Sequence, residues 1–393
     1  MQLTLGRRRF TKAIKNKEAM YGLIVIIVLT AYIGSLAAVM GASNFFSTVM
    51  NTAYRLLIET AFYILAISVV MGALGNVLTE FGIVKLLNRL FAPLMKPLYN
   101  LPGASFLGIM TTYLSDNPAI IVLANDKKYK AHFDKQHIPC LCNLGTSFGM
   151  GLIITTYMIG QGFVLEPIIG NIGAIIGSII SVRLMNGIIK KRNYFDTYVP
   201  PTPKQVEETK ASSAHQDEDE GFMAKVMNAM LEGGKNGVEM GVKIIPGLLV
   251  ICTMVMTLTF GVGDASAGYQ GNAFEGIALI PKLGDFLSPV LKPLFGFTSS
   301  EALAFPITSL GAVGAAISLV PKMLGLGYIS GNDIAVFTAM GMCWSGYLST
   351  HVSMMDALNH RKLISSSILS HTIGGLAAGV SAHLIYVLIT MIL

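Results

Sequence analysis

The chain has 393 residues, of which 53% are hydrophobic and 13% are charged, and its formal net charge is +6. A soluble domain carries about 25% charged residues, so this composition excludes an ordinary soluble globular protein and indicates a membrane protein. The basic residues lie beside long apolar runs, where membrane orientation requires them, so the net charge does not indicate nucleic-acid binding. The four cysteines stand in apolar context and indicate buried thiols rather than a disulfide framework.

The first apolar run, residues 22–40, follows a basic segment that contains Arg7, Arg8 and Arg9. It is longer than the roughly 7–15 apolar residues of a signal peptide, so we predict an uncleaved transmembrane helix. Residues 1–50 then comprise a cytoplasmic N-terminus and this first helix. A second helix, residues 52–79, leads back to the cytoplasmic side. An amphipathic interfacial stretch with Lys85 and Lys96 follows it.

The next apolar segment, residues 103–124, conflicts with a single membrane crossing. Four lysines follow it between residues 127 and 135, and a single crossing would place them outside, against the positive-inside rule. A re-entrant hairpin that turns at Ser115-Asp116-Asn117-Pro118 removes the conflict, because short polar groups there satisfy freed backbone groups. The single crossing is the alternative. Spans at residues 137–159 and 164–188 complete the first half.

A Pro-rich and then acidic stretch separates two similar halves. We assign residues 51–189 to the first repeat, 190–228 to a hydrophilic cytoplasmic linker and 229–393 to the second repeat. In the second half we predict a span at 237–260, an interfacial stretch at 280–294 and a hairpin at 299–321. Spans at 334–355 and 367–393 follow. Charge placement gives this series the opposite orientation to the first.

One short motif supports the duplication. Phe91-Ala-Pro-Leu-Met-Lys-Pro-Leu98 returns as Leu287-Ser-Pro-Val-Leu-Lys-Pro-Leu294, which places Lys96 and Lys292 196 positions apart. We therefore predict an all-α polytopic membrane protein with inverted-topology repeats, each with a re-entrant helical hairpin and broken transmembrane helices. Transporters with this organisation bind substrate near the bilayer midplane, between the repeats.

Polar residues in and after the hairpins are the candidate site residues, because polar groups are costly at that depth. For the coupling ion we predict Ser115, Asp116, Asn117, Asn143, Thr146 and Ser147. For the substrate we predict Ser300, Glu301, Thr308, Ser309, Trp344, Ser345, Ser349 and His351. The structural alternatives are a capping role for Asp116, core packing for Trp344 and backbone hydrogen bonds for the serines. Glu239 and Lys243, one helical turn apart, are interpreted as an ion pair.

The sequence carries no phosphate-binding loop, zinc signature or nucleophile elbow, so we predict neither an enzyme nor a resident cofactor. A metal site is the alternative for three soft or borderline ligands. These are Cys140, Cys142 and His351.

Two stretches also resemble a known family. Gly233-Gly-Lys-Asn-Gly-Val and Lys243-Ile-Ile-Pro246, with the second hairpin and residues 341–356, resemble spore maturation protein B. The first half, through Ser115-Asp-Asn-Pro-Ala and residues 143–157, resembles spore maturation protein A. Both belong to the nucleoside-recognition, or Gate, domain family, which is similar to concentrative nucleoside transporters and ferrous iron permease gates. The resemblance covers residues 51–393 without the linker.

The resemblance implies a core of hairpin, helix and helix in each repeat, with substrate between the hairpin tips and the broken helices. It implies a cation near Asp116, Asn117, Asn143 and Thr146. It implies a ligand near Glu301, Trp344 and Ser345. The first hairpin lacks the Gln-Thr-Glu-like run of the nucleoside transporters.

We therefore predict a secondary-active symporter that moves a small polar or anionic organic solute, with nucleosides among the candidates, by alternating access. The predicted coupling ion is H⁺ or Na⁺, and the predicted location is the bacterial cytoplasmic (inner) membrane. A divalent metal permease and a non-transporting scaffold or sensor are the alternatives. The expected partners are the solute and the lipid bilayer, and a homo-oligomer is left open.

Overall fold

The computed structural model describes residues 17–117, 119–125, 127–196, 221–263 and 266–392. Within these ranges the regular structure is helical, and six helices are long and apolar enough to cross a membrane. The protein is therefore an all-α, multi-pass membrane protein. The predicted cytoplasmic N-terminal basic cluster and the central part of the predicted linker, residues 197–220, lie outside the described residues.

The first half contains eight helices of seven residues or more within the described ranges. A long helix, α2, is interrupted by a π-helical turn at Leu56–Ala61. The helices are α1 (Lys17–Met40), α2 (Ala42–Glu80), α3 (Ile83–Tyr99), α4 (Ser105–Leu114), α5 (Ala119–Asn125), α6 (Ile138–Thr146), α7 (Gly151–Gly160) and α8 (Leu165–Lys191).

The second half contains eight α-helices within the described ranges. Its long first helix also contains a π-helical turn, at Leu248–Cys252. The helices are α9 (Phe222–Thr259), α10 (Leu279–Phe295), α11 (Ala304–Gly311), α12 (Val313–Ile317), α13 (Val320–Gly325), α14 (Gly331–Cys343), α15 (Tyr347–Ala357) and α16 (Ile364–Ile392). The inverted orientation of the two halves in the membrane stays a prediction.

The repeated Pro-x-x-Lys-Pro motif forms the same element twice. It lies in the C-terminal half of the amphipathic helices α3 and α10, each of which contains both prolines. Each helix ends at a residue in the left-handed region, Asn100 with φ 56° and Gly296 with φ 63°. A left-handed residue stops a helix and turns the chain. In both halves the chain then enters the hairpin.

Glycines hold the long helices together in two groups. In α9, a methyl group at Gly237 would lie 2.2 Å from the carbonyl oxygen of Ser68 in α2. In α8, a methyl group at Gly177 would lie 2.4 Å from the carbonyl oxygen of Gly374 in α16. Such close backbone approach is typical of small residues at membrane helix interfaces. The pair α2–α9 is therefore one packed group, and α8, α14 and α16 form another.

Three predicted boundaries differ from the structure. Helix α2 begins at Ala42 rather than at residue 52, and α9 begins at Phe222, inside the predicted linker. The predicted span 334–355 comprises two helices, because the chain is interrupted between Cys343 and Tyr347. Gly346, with φ 62°, occupies this break and starts α15.

Candidate functional site

The first hairpin turns at Ser115, Asp116 and Asn117, as predicted. The chain reverses there, so that a methyl group at Gly108 in α4 would lie 2.6 Å from Ile120 in α5. The Asn117 backbone N–H donates to Asp116 Oδ1 at 2.8 Å, and the Ser115 hydroxyl donates to the Thr111 carbonyl at 2.5 Å. Local hydrogen bonds of this kind stabilise the turn without a regular helix.

Asn117 lies between the two interrupted helices. Its Nδ2 donates to the carbonyl oxygen of Ser345, in the break between α14 and α15, at 2.6 Å. On the other side, a methyl group at Gly149, in the break between α6 and α7, would lie only 1.7 Å from Asn117 Oδ1. Asn117 is 2% exposed, and its Oδ1 has no hydrogen-bond partner among the described residues. The turn of the first hairpin therefore contacts both helix breaks.

The second hairpin reaches the same place from the other half of the chain. The Gly346 backbone N–H donates to the carbonyl oxygen of Ser309, near the end of α11, at 3.0 Å. The two breaks also meet directly, because Cys343 Sγ lies 3.8 Å from the Ser147 carbonyl oxygen. Helix breaks leave backbone groups without intrahelical partners. Four irregular segments, two from each half, therefore bring together in the interior backbone N–H and C=O groups that lack intrahelical partners.

A cavity of about 190 Å³ lies beside the turn, between the first hairpin and α9. Asp116 and Glu239 bring acceptor oxygens to its wall, and Lys243 brings a positive charge. The predicted Glu239–Lys243 ion pair is confirmed, with 3.8 Å between its charged atoms. The residues lining the cavity are Ser115, Asp116, Ala119, Asn236, Glu239, Met240 and Lys243.

Sequence reasoning missed the contribution of α9 to this cavity. Asn236, Glu239 and Lys243 lie along one face of that helix at intervals of three and four residues, so the spacing was visible. Only the fold brings that face to Asp116, a residue of the other half. The i, i+4 charge pair was the one sequence signal on this face of α9. By itself, such a pair indicates stabilisation of a helix surface and not a binding site.

Several predicted site residues bond within their own helices. The hydroxyls of Thr146 and Ser147 donate to the carbonyls of Cys142 and Asn143 at 2.8 Å each. In the second hairpin, the hydroxyls of Thr308 and Ser309 donate to backbone carbonyls at 2.7 and 2.8 Å. These four hydroxyls therefore bond to the backbone, which was the structural alternative to a site role. The carbonyl oxygens of Ser309 and Ser147, in contrast, lie where the hairpins and the helix breaks contact each other.

Asn143 is engaged away from the hairpin turn. Its Nδ2 lies 2.9 Å from both Ser181 Oγ and Ser370 Oγ, and its Oδ1 accepts from Ser367 Oγ at 2.5 Å. These partners belong to α8 and α16, so Asn143 joins three helices. Its full set of hydrogen bonds explains its burial and leaves little capacity for an ion.

Three predicted substrate residues lie away from the hairpin tips. Ser300 donates to Asp285 Oδ1 of α10, at the base of the second hairpin, and Glu301 occupies the same 3₁₀ turn, Ser300–Leu303. Ser349 is exposed, and its hydroxyl donates to the Gly346 carbonyl at 3.2 Å. The structure thus brings together Ser115, Asp116, Asn117, Ser309 and Ser345, but not these three.

Trp344 and His351 meet in a buried aromatic cluster behind the break. Tyr347 stacks on Trp344 with 6.1 Å between ring centroids and meets His351 edge-on at 5.6 Å. His371 of α16 completes the cluster, with its ring 4.6 Å from that of His351. Trp344 Nε1 and His351 Nε2 have no hydrogen-bond partner among the described residues. Sequence reasoning did not place His371 in this cluster.

Comparison with solved structures identifies the fold. The chain resembles CNTnw, a concentrative nucleoside transporter, in an inward-facing substrate-bound state, with a TM-score of 0.55 and 14% identity over 97% of this chain and 87% of that one. A CNTnw variant in an outward-facing state matches with a TM-score of 0.53 and 15% identity, over 97% and 86% of the chains. A further CNTnw variant, in an intermediate state, matches with a TM-score of 0.52 and 15% identity, over 98% of this chain and 86% of that one.

The fold resembles that of a concentrative nucleoside transporter. No protein-family model and no curated protein matches the chain. At this identity the likeness to CNTnw concerns the fold alone.

The cysteines and histidine of the metal alternative do not come together. Cys140 Sγ lies 3.7 Å from the Gln136 carbonyl oxygen, whereas His351 Nδ1 lies 2.9 Å from the carbonyl oxygen of Tyr347. Both Cys140 and Cys142 are fully buried as free thiols. Across the described ranges, no group of three or more His, Cys, Asp or Glu side chains could hold a metal ion.

Proposed function

We propose that the protein is a secondary-active transporter that carries a small polar organic solute across the membrane by alternating access. The observation that carries the proposal is the position of Asn117, whose side chain contacts the helix breaks of both halves. Interrupted helices that meet between two repeats are the usual substrate and ion sites of such transporters. The similar CNTnw structures include inward-facing, intermediate and outward-facing states.

The cavity beside the turn suits a solute with several hydrogen-bond donors. Asp116 and Glu239 offer carboxylate oxygens, and Asn236 offers an amide that both donates and accepts. Hydroxyl and amino groups of a nucleoside are donors of this kind, so nucleosides are the first solutes to test. Lys243 at the same wall would accommodate an anionic substituent.

The coupling ion is proposed to bind at the turn itself. Asp116 provides a carboxylate, and Asn117 Oδ1 is a buried oxygen without a hydrogen-bond partner among the described residues. The carbonyl oxygens of broken helices add further ligands, as is typical of Na⁺ and H⁺ sites in transporters with discontinuous helices. We also propose that the chain belongs to the nucleoside-recognition (Gate) domain group, with its two halves related by inverted topology.

Uptake into proteoliposomes tests the transport activity. Purified protein would be reconstituted, and accumulation of labelled uridine, adenosine and a set of organic anions would be measured under an imposed Na⁺ gradient and, separately, a pH gradient. We expect gradient-dependent uptake of at least one nucleoside. Asp116→Asn and Glu239→Gln should lower that uptake by about tenfold or more, which corresponds to about 1.4 kcal/mol or more of lost interaction.

Glu232→Gln is the matched control, because Glu232 is exposed on the same helix two turns before Glu239 and does not line the cavity. It should transport at the wild-type rate. Wild-type uptake in Asp116→Asn and Glu239→Gln would remove the cavity from the proposal. No gradient-dependent uptake of any solute in the set would contradict transport of this class.

A further inference from the structure

A second, strongly basic cavity lies at the other end of the first repeat. Its volume is about 430 Å³, and it opens between the C-terminal part of α3 and that of α8. Three of its residues are cationic, and within the described part of the chain none of its lining residues is acidic. The lining residues are Lys96, Pro97, Asn100, Arg183, Asn186, Gly187 and Lys190.

Arg183 is held in place at this cavity by neutral partners. Its Nε donates to the Leu98 carbonyl oxygen at 2.6 Å, and its Nη2 donates to the carbonyl oxygen of Pro97. These carbonyls end α3, where a cation is favourable. Because the end of a helix carries only a partial negative charge, no full anion among the lining residues neutralises the guanidinium beside Lys96 and Lys190. An anionic group in the cavity would neutralise it.

Asn186 gives an independent sign that a ligand group is missing. The residue is 3% exposed, and neither its amide nitrogen nor its amide oxygen has a hydrogen-bond partner among the described residues. Buried amides are nearly always hydrogen-bonded, so an unpaired one at a cavity wall indicates an absent partner. The next residue, Gly187, leaves room, because a methyl group there would meet no atom within 4 Å.

An apolar cavity of about 360 Å³ lies between the same two helices and α4, deeper along α8. Ile175 lines it eight residues before Arg183, which is about 12 Å along a helix. The amphipathic helix α3 thus gives apolar residues to one cavity and Lys96 to the other. The lining residues are Phe91, Leu94, Met95, Leu98, Tyr99, Phe106, Ile109, Met110, Tyr113, Phe148, Asn171 and Ile175.

We propose that the basic cavity binds the phosphate group of an anionic phospholipid whose acyl chain lies in the apolar cavity. A phosphate with an apolar tail matches both cavities at once, whereas free phosphate would use the basic one alone. Basic pockets between membrane helices are suited to anionic head groups, and each Lys or Arg near the membrane surface adds to the attraction for anionic lipid. Both cavities involve α3, the interfacial helix, so the ligand would sit at the depth where phospholipid head groups occur.

Thermal unfolding of the full chain in neutral detergent tests this assignment. The midpoint would be measured with phosphatidylglycerol, with phosphatidylcholine at the same mole fraction, and with inorganic phosphate. Native mass spectrometry would count the bound lipids. We expect phosphatidylglycerol to raise the midpoint by several degrees more than phosphatidylcholine. Lys190→Gln should bind phosphatidylglycerol about tenfold more weakly.

Two further variants separate a built site from general attraction. Lys191→Gln removes an exposed charge from the same helix turn outside the cavity and should bind like the wild type. Gly187→Leu fills the open space without changing charge and should lose phosphatidylglycerol binding, while its lipid-free midpoint stays at or above the wild-type value. Equal effects of Lys190→Gln and Lys191→Gln would overturn the site. Equal stabilisation by inorganic phosphate would overturn the lipid assignment.

Discussion

Asn117 and Asn143 are both buried asparagines near helix breaks, and the sequence predicts the same role for them. Their hydrogen bonds in the structure indicate two different roles. Asn143 uses both amide atoms in hydrogen bonds to α8 and α16, whereas Asn117 uses only Nδ2 and leaves Oδ1 without a partner among the described residues. A saturated amide stabilises packing, and an unsaturated one retains capacity for a ligand. We therefore assign Asn143 to stability and Asn117 to the site.

The contact between Asn117 and Gly149 predicts a specific coupling. The three atoms nearest a methyl group at Gly149 all belong to the Asn117 side chain. Gly149→Ala should therefore lower the free energy of unfolding by about 1–3 kcal/mol through overpacking. In an Asn117→Ala background the same change should cost less than about 0.5 kcal/mol, because the clash is gone. A double-mutant cycle of thermal unfolding in detergent measures this coupling. Additive effects would show that the two residues do not touch.

Asn143→Ala should destabilise the protein by about 3 kcal/mol, because it removes the hydrogen bonds of a fully buried amide and takes away the acceptor of the Ser367 hydroxyl. Ser147→Ala is the control. Among the described residues, its hydroxyl bonds only to a carbonyl of its own helix, and its loss should cost less than about 1 kcal/mol. Thermal unfolding of both variants in the same detergent makes the comparison. A larger loss for Ser147→Ala than for Asn143→Ala would contradict the assignment of Asn143 to stability.

At the scale of elements, the glycine row of α9 sets its distance from α2. A methyl group at Gly237 would lie 2.2 Å from the Ser68 carbonyl oxygen, whereas one at Gly234 would lie 3.7 Å from Val69, an ordinary contact. Gly237→Ala should therefore push the helices apart and cost about 1–3 kcal/mol of stability. Gly234→Ala should be neutral or stabilise by up to about 1 kcal/mol through helix propensity. Unfolding midpoints of the two variants compare these effects, and equal midpoints would mean that α2 and α9 do not pack closely.

Sequence patterns predicted the elements better than their interruptions. The run Ser115–Asn117 was recognisable as a turn because short polar residues and a proline interrupt an apolar segment. The break at Trp344–Gly346 was missed, since a single serine and glycine in an apolar run are compatible with a continuous helix. The π-helical turns at Leu56–Ala61 and Leu248–Cys252 carry no composition signal at all. Their positions depend on tertiary contacts that one sequence does not reveal.

At the scale of the whole molecule, the candidate cavity lies between the packed pair α2–α9 and the first hairpin. Glu239 and Lys243 belong to α9, which packs on α2, whereas Asp116 belongs to the hairpin that contacts the broken helices. Alternating access requires two groups that move relative to each other around a central site. If α2 and α9 form one of these groups, contacts from α9 to the hairpins must break and re-form during each cycle.

One such contact joins Cys252, in the π-helical turn of α9, to Ser318 after α12, with 2.9 Å between Sγ and Oγ. This distance is short enough for Ser318→Cys to form a disulfide with Cys252 after a small adjustment. Under oxidising conditions the variant should lose most of its uptake into proteoliposomes, and a reductant should restore it, because the bond would tie α9 to the second hairpin. Ser318→Ala, treated with the same oxidant, should retain its uptake. Undiminished uptake by the oxidised, cross-linked variant would show that α9 and the second hairpin move as one body.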